Sequence, residues 1–431
     1  MDFNQKRAKV FYGWYIVGAC FLIALYTAGV TRLGFTAVFE PIANEFGWSY
    51  AQISLAASLQ SFEFSLLLPI MGLIVDRWGP RRLIFGGGIL ICMGLILLSR
   101  VSFLAMFYGA YTLIAIGVST CAPSVLMAAV GNWFRRKAGI AIGILSSGFG
   151  LAGILVPIMT GLIDALQWRT AIFTVGLGML VIVLPLSLLV RHKPEHYGYH
   201  PDGDTDNAVE ISGSHTATVS AEISIPVKQV LSNRTFWNVA FASMCHAFVT
   251  GTMTVHIMPY LSSLGIARSV SSLVALVLPV VSICGRLGSG WLSDRLDGRH
   301  VFAAAFALMT AGLFLFEYIT QDRMWLLAPF IIIFSLGWGG GVTTRIALLR
   351  EYFGRSAFGT ILGFTWGIMM VGHIAGIPLA GWVFDTWGSY QGTWLSYGTI
   401  TIVGMVLALT IPSSSSTTQL SSQPEIQQAI K

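Results

Sequence analysis

The sequence predicts an all-α integral membrane protein of twelve spanning helices in two similar six-helix halves. Three observations carry this: too few charges for a solvated surface, a series of apolar runs long enough to cross a bilayer, and a motif that occurs twice. Of the 431 residues, 55% are hydrophobic and 10% charged, against about 25% charged in an ordinary soluble domain. Crossing a hydrocarbon core of about 30 Å takes about 20 predominantly apolar residues, because each backbone polar group must find its partner within the segment.

The apolar runs fall at 11–37, 51–76, 82–99, 104–131, 138–164, 170–190, 236–263, 269–293, 300–320, 324–349, 356–384 and 391–412. The first starts near Phe11 and passes Thr27 without a small-residue cleavage pattern, so it reads as a retained span and not a signal peptide. Gly86-Gly87-Gly88 in the third run is no phosphate loop. Between the sixth and seventh runs lies a polar linker, 192–234, which separates an N-terminal bundle, 1–191, from a C-terminal bundle, 235–412. The Ser- and Gln-rich segment 413–431 reads as a disordered tail. Cys20, Cys92, Cys121, Cys245 and Cys284 all fall in apolar runs, with no metal-ligand spacing, and read as small hydrophobes. No metal or other cofactor is expected.

The net charge of +6 is not a nucleic-acid footprint, since the basic residues are spread through short loops and do not cluster on one face. They sort by side. Eighteen Lys and Arg fall on one side of the predicted membrane, including both termini, and four on the other, Arg100, Arg169, Arg268 and Arg323. Positively charged loops stay in the cytoplasm, so both termini are expected there, in a cell inner or plasma membrane.

The second run ends in Gly72-Leu-Ile-Val-Asp76-Arg77-Trp-Gly79-Pro80-Arg81-Arg82, and the eighth in Gly290-Trp-Leu-Ser-Asp294-Arg295-Leu-Asp-Gly298-Arg299. Pro157, Gly161 and Asp164, which close the fifth run, correspond to Pro378, Gly381 and Asp385, which close the eleventh. Repeated halves are the plan of many secondary transporters. The loop charges Asp76, Arg77, Arg81, Asp294 and Arg295 either pair across helix ends and gate one side, or only fix orientation. The doubled loop resembles the signature of the major facilitator superfamily, which implies its two-bundle fold with a central cavity and alternating access. Tyr12-Gly13-Trp14 and Trp133-Phe134-Arg135-Arg136-Lys137-Ala138-Gly139 are similar to the bacterial relatives of monocarboxylate transporters and oxalate/formate antiporters. The acidic-glycine-glycine run of animal members is missing from the first helix.

An ionisable group at bilayer depth needs a partner, a wet cavity or a function. Arg286 lies eight residues before Asp294, about two turns inside the eighth helix. With no acid on its own helix, it can hold a carboxylate through paired charge-assisted hydrogen bonds. The resemblance implies the same, since an arginine on this helix has that part in monocarboxylate transporters. An ion pair to another helix is the alternative. His256 either donates to the same anion or exchanges a proton, or it bonds a neighbouring helix; His246 and His373 are weaker candidates for that role and read first as interhelical hydrogen-bond partners. Glu63, the one acid near the middle of a span, can pair with Arg32 on the first helix, as a proton-coupling pair or as a static one. Arg345 is close enough to the cytoplasmic face to snorkel, with a role in substrate binding as the less favoured alternative. Trp338 and Thr120, on glycine-rich stretches, are candidate cavity residues, although close helix packing also explains such glycines.

Three arginines against one acid inside the spans favour an anionic substrate. The expected function is secondary active transport of a small organic anion, a monocarboxylate, by proton symport or anion exchange. A drug or metabolite exporter of the same architecture is the rival, and a membrane sensor a more distant one. No nucleophile-base pair or phosphate loop points to an enzyme. The expected partners are the anion, a proton or counter-anion and the lipid bilayer, with the chain acting as a monomer.

Overall fold

The computed structural model describes residues 11–134, 137–191, 194, 230, 232–293, 295–353 and 358–412, without the side chains of 69, 72–73, 76, 138–139 and 358–360. The described residues form helices at all twelve apolar runs. They are α1 (Tyr12–Phe46), α2 (Tyr50–Trp78), α3 (Pro80–Ser99), α4 (Leu104–Gly131), α5 (Ile140–Leu166), α6 (Trp168–Leu189), α7 (Arg234–Ser263), α8 (Arg268–Ser293), α9 (Gly298–Glu317), α10 (Leu327–Phe353), α11 (Phe358–Trp387) and α12 (Thr393–Leu409). Among the described residues, nine helices are long and apolar enough to cross a membrane. The polar residues of α2 and α7, Glu63 and the two histidines among them, keep those helices off that count.

α1 runs past the predicted end at 37. Its last part, Phe35–Phe46, carries Glu40, Pro41, Asn44 and Glu45, which hide it from a hydropathy reading, while Phe35, Val38, Phe39 and Ile42 bury one face and keep it helical. A π-turn at Gly29–Leu33 joins the two parts.

Contacts divide the chain into two compact units. One holds Met1–Gly34 and Leu66–Val219; the other holds Phe35–Ser65 and Ser220–Lys431. This grouping cuts across the contiguous division expected from the linker, because the end of α1 and the first half of α2 pack on α7 and α11.

In the first unit, both stretches that carried the family resemblance meet. Tyr12 and Trp133 lie 5.4 Å apart between ring centres, and Phe134 packs edge-on against Phe11 and Trp14. A Cβ on Gly13 would come within 2.9 Å of Phe134. Tyr12 and Trp133 donate to the Leu189 and Arg191 carbonyls, where α6 ends. Carbonyls at a helix end have no partner within the helix, so this aromatic pair caps α6. Arg169 serves α3 in the same way, donating to the Ser99 and Val101 carbonyls at 2.9 Å each.

The doubled loop takes two conformations. Gly79 has φ +76, a left-handed turn that favours glycine, and Pro80 opens α3. Gly298 has no positive φ and instead packs closely, since a Cβ there would meet the Leu348 methyl at 2.9 Å. Asp297 accepts from the Arg299 backbone N–H as the cap of α9.

Within the second unit, the start of α2 is capped from two sources. Ser49 and Gln52 form a reciprocal capping box, with Ser49 N–H donating to Gln52 Oε1 at 3.0 Å and Gln52 N–H to Ser49 Oγ at 3.1 Å. The N–H groups between them, of Tyr50 and Ala51, donate to the two carboxylate oxygens of Asp385 at 2.7 and 2.8 Å. Gly381 allows this approach, because a Cβ there would lie 2.7 Å from the Ala51 nitrogen.

Candidate functional site

Glycines bring α8 and α10 of the second unit into backbone contact. A Cβ on Gly339 would lie 1.9 Å from the Ser282 carbonyl oxygen and 2.9 Å from the Arg286 nitrogen, and one on Gly285 would lie 2.4 Å from the Leu336 carbonyl. The glycine run 337–341, a candidate cavity wall from sequence, is thus a packing surface, and it fixes the backbone of Arg286 against α10. Gly341 serves α7, since a Cβ there would meet the His246 ring at 2.6 Å.

Three basic side chains gather there. Arg286 is half-buried, and its Nε, out of contact with water, has no hydrogen-bond partner. Arg345 on α10 is 3% exposed, with Nη1 donating to Met369 Sδ at 3.0 Å and Nε unpartnered. Its guanidinium carbon lies 6.0 Å from the Trp366 ring centre. Arg345 was expected to snorkel to the membrane face; the structure corrects this, because its position on α10 turns the side chain inward to α11. His246 on α7 shares a hydrogen bond of 3.1 Å between Nε2 and the Trp338 carbonyl, the interhelical bond expected of it. A carbonyl only accepts, so Nε2 carries the proton and Nδ1 is a bare acceptor, buried and unpartnered. Arg286, Arg345 and His373 lie within electrostatic reach of His246. No described carboxylate acts on either arginine.

A second polar cluster in the same unit differs in every bond. His256 is fully buried; Nε2 meets the Ile377 carbonyl at 2.9 Å and Ser54 Oγ at 3.0 Å, and Nδ1 meets Tyr390 OH at 2.8 Å. Nε2 therefore carries the proton and Nδ1 accepts from the phenol. Phe39 packs on the imidazole, and Tyr50 stacks on Phe384 at 4.3 Å. Arg268 donates to the Ala37 carbonyl at 2.5 Å, and Glu40 bonds Ser262. His256 was expected to face a substrate or bond a neighbouring helix; in this structure its ring nitrogens are spent on α2, α11 and Tyr390.

The other candidates are placed as follows. Thr120 was a candidate cavity residue, but its hydroxyl donates to its own helix at the Gly117 carbonyl and its side chain fills the gap over Gly87, so it is a packing group. Trp338 is half-buried and gives its carbonyl to His246. Arg32 is exposed on the π-turn of α1 in the first unit, and Glu63 is half-buried on α2 in the second. Arg77 and Arg81 are exposed, and Arg295 stacks on Trp291 at 4.0 Å. The Asp76 side chain and Asp294 lie outside the described residues, as do Arg135, Arg136, most of the linker and the tail. Among the described residues no group of three or more His, Cys, Asp or Glu could hold a metal.

The profile of the Major Facilitator Superfamily matches residues 19–377 and 257–430. The chain belongs to this superfamily. It is a multi-pass membrane transporter, not an enzyme. It is 27% identical over 413 residues to monocarboxylate transporter 12 of Rattus norvegicus, covering 92% of this chain and 84% of that protein. It is 22% identical over 377 residues to the oxalate:formate antiporter of Oxalobacter formigenes, covering 87% and 86%. A bacterial homologue of the human lysosomal transporter Spinster, crystallised inward-facing and occupied, superposes with a TM-score of 0.73 at 15% identity over 93% of this transporter and 97% of that chain. At that identity the likeness is one of fold.

Proposed function

We propose that this transporter carries a small organic anion, of the monocarboxylate class, by proton symport or anion exchange, with Arg286 as its anchor. The observation that supports this is the Arg286 guanidinium in the interior of the second unit with no described carboxylate acting on it. Removing one partner of a buried ion pair leaves an uncompensated charge at a cost of about 3–5 kcal/mol; an arginine that stands without its partner is suited to take a carboxylate from a substrate in two parallel hydrogen bonds. The names of the curated relatives, a monocarboxylate transporter and an oxalate:formate antiporter, agree with an anion.

In this reading Trp338 and His246 line the same site, and Glu63 couples the proton. Asp76, Arg77, Arg81, Asp294 and Arg295 gate the end that bears both termini, which faces the cytoplasm. His256 enters as a proton-exchanging group only when its bonds to Ser54, Ile377 and Tyr390 are broken by alternating access.

The test is uptake of radiolabelled lactate, pyruvate, formate and oxalate into liposomes under an imposed pH gradient, comparing wild type with Arg286→Ala. Saturable uptake that is lost in the variant supports the reading. Export of hydrophobic cations that is indifferent to Arg286→Ala overturns it in favour of an exporter.

A further inference from the structure

An anchor at Arg286 leaves the more deeply buried arginine without a task. Arg345 is 3% exposed, its Nε has no partner, and the one acceptor on its guanidinium is the thioether of Met369, a weak acceptor. The other charge acting on it is Arg286, which is like-signed. Around the pair stand His246 on α7 and His373 on α11, neither of them an acid. Two guanidiniums within electrostatic reach of one another, one buried and one half-buried, without a described counter-ion, form an arrangement that folding alone does not favour.

We propose that Arg345 is a second anion-binding residue at the Arg286 site, and that the site prefers carbon-chain anions with two carboxylates, one on each guanidinium, to monocarboxylates of the same length. The proposal rests on the reading of Arg286 as the anion anchor and narrows its substrate from monocarboxylates to dicarboxylates. Two planar forks argue for two carboxylates, since each fork pairs with one carboxylate in two parallel hydrogen bonds. The Arg286 backbone is level with Gly339, and Arg345 lies six residues further along α10, about 9 Å of helix rise. Long side chains on a helix lean toward its N-terminus, so Arg345 reaches back along α10 toward that level. One compact tetrahedral anion, such as phosphate, satisfies one fork; a short chain with a carboxylate at each end satisfies both. Met369, on a thioether with three rotatable bonds, can swing off Nη1 as the second carboxylate arrives.

Binding is measured on the purified full-length protein by calorimetric titration at neutral pH, with succinate, butyrate and inorganic phosphate as probes. Succinate is expected to bind at least about tenfold more tightly than butyrate, the scale of one charge-assisted hydrogen bond. Arg345→Met is expected to bring the two affinities together, Arg345→Lys to keep part of the preference, and Arg286→Met to lose both ligands. Equal affinities in wild type, or a preference unchanged in a folded Arg345→Met protein, overturn the proposal and leave Arg286 as a monocarboxylate anchor. Phosphate bound as tightly as succinate overturns the two-carboxylate geometry. If Arg345→Met does not fold, the wild-type ratio and the Arg345→Lys ratio decide. Absence of binding by any probe to folded wild type overturns the anchor at Arg286 itself.

Discussion

The second unit contains two buried polar clusters that answer the same physical demand in opposite ways. Around His256, both ring nitrogens have partners and the neighbouring rings close the space. Around Arg345, two guanidinium nitrogens and an imidazole nitrogen stand without partners, and the like charges face each other. Buried polar groups in folded proteins are satisfied with few exceptions, so the satisfied cluster reads as architecture and the unsatisfied one as a site awaiting a ligand. The first ties α2, α7 and α11 together; the second sits beside the close contact of α8 with α10.

This contrast predicts opposite stability effects, measured as shifts of the thermal unfolding midpoint in detergent. His256→Ala should be the most damaging, because it strands the Tyr390 hydroxyl, at about 1–3 kcal/mol for a buried group left unpaired, and also leaves a cavity among the packed rings. Asp385→Ala comes next. It removes the acceptor of the Tyr50 and Ala51 N–H groups, and loss of a capping side chain costs about 0.5–2 kcal/mol; the exposed setting of Asp385 places it toward the lower end. Tyr390→Phe removes one hydrogen bond and keeps the ring packing, for about 0.5–1.5 kcal/mol. Arg345→Met should cost least and raise the midpoint of the ligand-free protein, since an apolar side chain replaces an uncompensated charge. A midpoint lowered by Arg345→Met as far as by His256→Ala would erase the distinction between the clusters.

The same two clusters show how far sequence reasoning reaches. Arg286 stands out in the sequence because an arginine two turns inside an apolar helix with no acid beside it is conspicuous in one dimension; the structure adds that its Nε has no hydrogen-bond partner. Arg345 was misjudged by the same method: five residues from Arg350, it looked close enough to the membrane face to snorkel, and nothing in the local pattern says which way α10 is turned. A signal was present in the glycines, since the spacing of Gly337, Gly339, Gly340 and Gly341 marks α10 as enclosed by neighbours, but it names no partner. Thr120 was misread for a related reason. A hydroxyl in a glycine-rich helix lines a cavity or fills the gap over a facing glycine, and only the position of Gly87 decides.

The sequence by itself determined the helical class, the twelve apolar runs and the doubled loop, because each follows from composition or short-range periodicity. Tertiary structure decided which polar groups meet. Asp385 caps a helix that begins 335 residues earlier at Tyr50, His256 closes on Ser54 and Tyr390, and Phe35–Ser65 joins the second unit and not its sequence neighbours. Such pairings depend on the rotation of each helix about its axis, which is set by the side chains and glycines of its neighbours.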